Sequence, residues 1–520
     1  MIRLIIAALV IALAATPAQA RWRMATSENF VIYANDSAED LQRFGYLLEQ
    51  FHSSLELLTN TQSPAPSPSN RVTVYVVGSQ YAVRRLADAG NSVGGFYLPR
   101  AAGSSAFVQN LRFSSRETDF STIVLLHEYA HHFIISNQRF AMPRWLSEGA
   151  AEFFASARFP ADGGVEIGRP AQHRAYDLFA ADEVSIEELL DDRLYAERTS
   201  RRYDAFYGRA WLLYHYLAIG TRQMETQRAG QLGEYTRLIA SGTPAMDAAR
   251  QVFGDLDRLD DELDDYLDER RMNMIVLQPE MVPAAPVHVH ELSDGMDEVL
   301  PLKIRSRRGV NREEALELVP EIRQVAEEYP SDPGVLSALA EAEYDAGNDD
   351  AAIAAADRAI ALDPLTVNAY VQKGYALFRK AKEADDRNAA YEAAMAPFSA
   401  LNRMENDHPV PLIHYYHSFG FRGEPATDLA REALEQASAL APFDRGLAMN
   451  VAMMRASTGE IEGARRLLRT LASHPHGGDL AEQADGFLKE LDNAVEGDPV
   501  FLGMATVPVE LDVEDPEDAK

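Results

Sequence analysis

The chain has 520 residues, 47% of them hydrophobic and 25% charged, the composition of a folded globular protein too long for one core. Its formal net charge of −31 repels nucleic-acid phosphates and anionic lipid headgroups, so neither is an expected partner. It contains no cysteine, which excludes disulfides and thiolate ligands and leaves histidine and carboxylate to hold any metal.

Residues 1–20 read as an export signal, with Arg3 as the positive start, residues 4–15 as the apolar stretch and Ala18-Gln19-Ala20 as the small-residue cleavage site. The apolar run is too short to span a bilayer, so the mature chain is expected to be periplasmic or secreted, with no membrane attachment after cleavage. Residues 29–33 have the pattern of a strand, 36–58 that of a helix opened by Asp36 or Ser37, 62–70 that of a Pro/Ser loop and 71–77 that of a second strand. Residues 94–97 and 105–108 suggest two further short strands, and the chain is mostly helical from Ser121 to about Asn273. Residues 277–310, with Pro279, Pro283, Pro286 and Pro301, are expected to be a linker.

Beyond it an internal repeat runs over residues 311–495. Prolines at 330, 364, 409, 442 and 475 are spaced by 34, 45, 33 and 33 residues, each closing a helical segment with small residues at matched offsets, such as Ala352 and Ala359 or Ala430 and Ala437. Gly347, Gly374 and Gly459 fall where a helix pair turns or packs closely, and an insertion around residues 382–392 accounts for the longer interval. A period near 34 with this pattern resembles the tetratricopeptide repeat, two antiparallel helices per unit. Residues 496–520 form an acidic tail.

Two segments carry chemistry. In the helix expected around residues 121–135, which Asp119 or Ser121 can cap, His127 and His131 are four residues apart and stand on one face, where two imidazole nitrogens reach one ion at about 2.0–2.1 Å. Glu128 sits about 100° round the helix, placed to take a proton from water beside the ion. This is the HExxH pattern of metallopeptidases. A second helix begins at Pro143 and carries Glu148 and Glu152 on one face beside the small Gly149, Ala150 and Ala151. A catalytic metal wants three protein ligands and one open position; Glu148 supplies the third, and Glu152 can accept a hydrogen bond from the far nitrogen of a ligand histidine. Zn2+ suits such a donor set.

The pairing of HEYAH (127–131) with RWLSEGAAEFF (144–154) resembles the gluzincin metallopeptidases, and most nearly the peptidase MA-like domains of exported bacterial proteins, which often precede tetratricopeptide repeats. The resemblance implies an α+β zincin-like domain over residues 21–276 followed by an all-α repeat solenoid, with His127, His131 and Glu148 as ligands and Glu128 as the general base. It implies an edge strand, residues 104–110, on which Ser105, Ala106 and Phe107 hold an extended peptide, with residues 94–97 bordering the cleft. It also implies a tyrosine or histidine that stabilises the oxyanion. Tyr207 is favoured, then Tyr203, although Ala205 stands where the aminopeptidases of this clan place that tyrosine; His173 and His215 are weaker candidates. His132 is expected to point away from the metal, and His288 and His290 fall in the linker. The expected function is zinc-dependent hydrolysis of peptide bonds, within chains more than at their ends, with the repeats recruiting a protein substrate or partner. Two alternatives stand beside it: a repeat-based binding scaffold with a silent peptidase fold, and a zinc hydrolase acting on another substrate such as cell-wall peptide.

Overall fold

The computed structural model describes residues 21–503 apart from 88–93, 111–117, 139, 200, 201, 225 and 476, so the expected export signal and residues 504–520 of the tail lie outside the described residues. The front half is built on a six-stranded sheet in the order β4-β5-β3-β2-β1-β8. Its strands are β1 (Arg23–Thr26), β2 (Phe30–Ala34), β3 (Val72–Val76), β4 (Gly95–Leu98), β5 (Ser105–Val108) and β8 (His288–Glu291). Strands β2, β3 and β5 run parallel, while β1, β4 and β8 are antiparallel to their neighbours. A two-stranded ribbon, β6 (Val165–Ile167) with β7 (Ile275–Leu277), interrupts the otherwise helical stretch.

Alternation along the strands sends side chains to two cores. Phe30, Ile32, Val72, Val74, Ala106 and Val108 face one way, against α1 (Ala38–Thr59) and α3 (Phe120–Asn137). Helix α1 is the crossover that the parallel β2–β3 pair requires, and it buries Leu41, Phe44, Leu48, Phe51 and Leu55, spaced by one helical turn. Tyr75, Phe96, Leu98 and Phe107 face the other way, against Val83 and Leu86 of α2 (Gln80–Ala87) and against Leu300 and Ile304.

Those last two residues correct the expected linker. Residues 277–310 hold strand β8, which pairs with β1 from Arg23↔Glu291 to Thr26↔His288, and a helix, Asp294–Arg307, that covers the second face of the sheet. Val299 of the same helix enters the first core of the repeats. Apolar residues on two sides of this helix are buried, Val299 in one core and Leu300 and Ile304 in the other, and Pro301 lies inside it.

The C-terminal half is a helical-repeat solenoid. After the helix at Asp294–Arg307 come Arg312–Glu328, Pro333–Asp345, Asp349–Leu362, Val367–Lys382, Arg387–Met404, Pro409–Phe421, Asp428–Leu440, Arg445–Ser457, Ile461–Ala472 and Asp479–Leu491, each packed on the one before. Small residues permit the close approach: Ala355, Ala356 and Ala359 are buried against Leu336 and Ala340, and Gly374 lies against the ring of Phe398. Gly347 and Gly459 turn the chain at φ of 83° and 84°, where a side chain would be strained. The long interval between prolines 364 and 409 is not an inserted loop. It lengthens two helices, to 16 and 18 residues against 13 and 14 in the preceding pair. Residues 500–502 of the expected tail are ordered, with Leu502 buried among the last helices.

The two halves are in contact. Ser69 donates from its backbone nitrogen and its hydroxyl to the Glu405 carboxylate, both at 2.9 Å, and Asp444 accepts from the Ala101 nitrogen at 2.8 Å. No helix among the described residues is long and apolar enough to cross a membrane.

Leu300 separates a linker from a core element. Leu300→Ala is expected to cost about 2–5 kcal/mol, the range for truncating a buried leucine. Urea unfolding checks this; a change within about 0.5 kcal/mol would be that of a surface position and would count against the packing described.

Candidate metal-binding site

Helix α3 starts where Asp119 accepts hydrogen bonds from the Ser121 and Thr122 nitrogens. Its apolar side, Leu125, Leu126, Tyr129, Ala130 and Phe133, packs into the main core, and this fixes the rotation that presents His127 and His131. Past Gln138, Phe140 and Met142, α4 (Arg144–Ala155) packs beside it, with Trp145, Leu146, Phe153 and Phe154 buried. Glu148 is 0% exposed.

These two helices bring His127, His131 and Glu148 together. The His127 Nε2, His131 Nε2 and Glu148 Oε2 atoms are separated by 3.1, 3.3 and 3.3 Å. Three donors about 2.0–2.1 Å from one tetrahedral ion stand about 3.3 Å apart, so the donor set and its spacing fit a small divalent cation. Among the described residues no other group of three histidine or acidic side chains meets the same criterion. Burial opposes a charge on His127, but hydrogen bonds to Glu148 and Glu152 outweigh it and push its pKa up to about 10. The same two carboxylates that favour a proton there favour a metal cation in its place.

The far nitrogens of both imidazoles are also held. His127 Nδ1 lies 3.2 Å from Glu152 Oε1, and His131 Nδ1 lies 3.3 Å from the Ser147 hydroxyl. Glu152 is nearly fully buried, and its other partners are His173 Nε2 at 2.6 Å and the Arg174 guanidinium. Burial alone would raise the Glu152 pKa. Arg174, His127 and His173 reverse that and hold it well below the usual carboxylate range. Ser147 and Arg174 escaped the sequence reasoning: Ser147 stands within the second motif but was given no role there, and Arg174 stands in no motif; His173 entered it only as an oxyanion candidate.

Glu128 is half-buried on the flank of the same helix turn. Next to it, Tyr97 of β4 hydrogen-bonds His132 Nδ1 at 2.6 Å; burial chiefly, with a smaller push from Glu128, raises the tyrosine's pKa. His132 is turned away from His127 and Glu148, its ring tilted at 37° against that of Phe443 of the repeats with centroids 4.6 Å apart, and burial drops its pKa to about 3.

The two tyrosine candidates part company. The Glu148 charge and then burial push the Tyr207 hydroxyl well above its usual range, so it stands within electrostatic reach of the ligand carboxylate. Arg144 donates to that hydroxyl, and Arg174 lies 4.7 Å from the ring centroid. Tyr203 is 56% exposed and donates to Asp177 at 2.9 Å. His215 is fully buried between the Gly168 carbonyl oxygen at 2.7 Å and the Tyr266 hydroxyl at 2.8 Å, a packing role. His288 and His290 lie on β8, on the far side of the sheet from α3 in strand order.

One expectation is overturned. Strand β5, with Ser105, Ala106 and Phe107, is not an edge: it is paired with β3 on one side and β4 on the other, and all three residues are buried. The edge beside α3 is β4, because the chain returns antiparallel there before the parallel β5 is laid down.

Residues 119–232, which span both ligand helices, match a family described as a protein of unknown function, DUF1570. No curated protein matches the chain. Among solved structures, a thermophilic TPR protein of Thermus thermophilus is similar at 21% identity and a TM-score of 0.30, over 34% of this chain and 91% of its own. Yeast Tom70 is similar at 14% identity and a TM-score of 0.27, over 59% of this chain and 64% of its own.

Arg174 faces a carboxylate with no exposure to speak of, so Arg174→Met should cost about 3 kcal/mol. In the wild type, Glu152 contributes stability that is complete above its ordinary value of 4.5 and is lost only as pH falls through the depressed one. Removing Arg174 raises that pKa, so the loss should be largest at neutral pH and shrink in acid. Melting temperature against pH measures it; a deficit of equal size in mild acid and at neutrality would contradict the pairing.

Proposed function

We propose that the chain is a zinc-dependent hydrolase of peptide bonds that works outside the cytoplasm. The observation that carries this is the buried triangle of His127, His131 and Glu148 with a carboxylate, Glu128, on the adjoining position of the same helix.

When bound, zinc supplies a Lewis acid for the scissile carbonyl and lowers the pKa of water from 15.7 toward about 7. The chain's own residues do the rest. Glu128 takes the proton of the attacking water and delivers it to the leaving amine. Glu152 keeps the His127 ring oriented with Nε2 toward the centre. Tyr207, protonated at neutral pH and already accepting from Arg144, keeps its own O–H free to donate to the developing oxyanion. Strand β4 has its outer backbone edge unpaired among the described residues, and an extended peptide laid there gains main-chain hydrogen bonds without new loops being ordered. An open edge of this kind suits cleavage within a chain.

The repeats support a second reading, a protein-binding scaffold whose front half is catalytically silent. Its specific observation is the length of the solenoid, from Asp294 to Leu491. Part of that array is already engaged by the chain itself, at Glu405, Phe443 and Asp444, so a protein partner would use the remaining helices.

Metal content and turnover on a fluorogenic peptide library distinguish the readings, using the chain from Arg21 onward. About one zinc per chain is expected, and markedly less in Glu148→Ala. Glu128→Gln should keep its zinc while turnover falls at least about a hundredfold. Full activity in Glu128→Gln would remove the base from the mechanism, and stoichiometric zinc without turnover on any peptide, cell-wall peptides included, would favour the scaffold.

A further inference from the structure

A cavity of about 260 Å3 lies between the end of α3, the residues Gln138, Phe140 and Met142, and the helices Asp428–Leu440, Arg445–Ser457 and Ile461–Ala472. None of His127, Glu128, His131 or Glu148 lines it, although Ser147, whose hydroxyl lies 3.3 Å from His131 Nδ1, forms part of its wall. Its walls are mostly hydrocarbon: Ile134, Ile135, Phe140 and Met142 from the front half, Val451 and Leu471 from the repeats. Interiors are normally packed to the density of organic crystals, and an apolar space this large is the kind that takes an apolar guest.

The charge around it runs against the rest of the molecule. The chain carries 80 acidic and 49 basic residues, yet the cavity is bordered by Arg445, Arg455 and Arg466 and by one carboxylate, Glu435. Glu435 is taken up by Arg455, at 2.6 and 2.5 Å. Arg445 donates to the Gly477 carbonyl oxygen at 2.5 Å. Arg466 is exposed and has no ion-pair partner among the described residues. Three arginines against one carboxylate leave the lining of an apolar space with surplus positive charge, and Arg466 is the exposed one of the three.

The walls also bear on what kind of apolar anion fits. Of the 22 lining residues, 14 lie within helices, whose backbone groups are largely bonded to one another, and the others fall around Phe140, Phe443 and His474. A peptide entering there would bury amides with few main-chain partners, a costly outcome, whereas an acyl chain has only its head group to satisfy. We propose that the cavity is a binding site for a medium-chain acyl carboxylate, with its tail between Ile134, Met142 and Leu471 and its head at Arg466. The occupant touches Met142, between α3 and α4, and the repeats at once, so it should also raise the melting temperature.

The probe is decanoate, titrated calorimetrically into the full mature chain, with decanol and an apolar tripeptide bearing a free C-terminus beside it. One decanoate per chain is expected, with decanol markedly weaker. Arg466→Ala should weaken decanoate roughly tenfold, the scale of one charge-assisted contact. Ala448→Trp, which fills the cavity, should abolish binding while leaving the melting transition intact; if that variant does not fold, the exposed Arg466→Ala decides alone. No saturable binding of decanoate, decanol binding as well as decanoate, unchanged affinity in Arg466→Ala, or preference for the tripeptide would each overturn the proposal.

Discussion

A carboxylate with no solvent exposure is the constraint on which the front half depends. Glu148 is enclosed between two imidazoles, and burial without compensation would drive it to its neutral form. The neighbourhood is arranged against that outcome. Positive charge is placed one layer back, on Arg174 and, when protonated, His173, and reaches the centre through Glu152 and the His127 ring. Each carboxylate thus faces cationic or proton-bearing groups. The arrangement is held by the protein's own contacts, because both imidazole rings are pinned at both nitrogens.

Holding the centre also requires the helices that carry it to be placed from both sides. The sheet fixes α3 through the core that its first face buries. The second face is covered only in part by α2, and Leu300 and Ile304 complete the cover from a helix that belongs equally to the repeats. The 99–104 loop then reaches from the sheet to Asp444, and His132, the neighbour of His131, packs its ring at a tilt against Phe443. The solenoid is therefore a wall of the front half, and its apolar helix faces are partly consumed inside the molecule.

What was legible in the sequence follows from range. The placement of His127, His131, Glu128 and Glu148 depends on helical periodicity and one short turn, both local. The repeats were legible for the same reason, since Ala352 and Ala359 or Ala430 and Ala437 recur with the helix period. The role of β5 was not, because whether a strand is an edge depends on what pairs with it. Nothing within residues 95–98 records that β4 lies outside β5. Strand β8 was hidden more deeply: its partner β1 precedes it by some 265 residues of chain, and a Pro-rich run leading into it carries the composition of a linker. The surplus length at residues 382–392 looked like an insertion because a proline spacing counts residues without saying whether a helix or a loop contains them.

The choice between two tyrosines one turn apart rests on a single glycine. A Cβ at Gly149 would collide with the Ala210 backbone carbonyl, so only glycine lets α4 and the helix Phe206–His215 approach this closely. Tyr207 is in the first turn of that helix and is carried to Glu148; Tyr203 precedes the helix, is left half in solvent, and bonds to Asp177. The sequence showed both rings and the glycine, but as unrelated features, because the spacing of tyrosines says nothing about which helix they will be pressed against. Close packing of two backbones, not the tyrosine pattern itself, selects the hydroxyl that meets the centre.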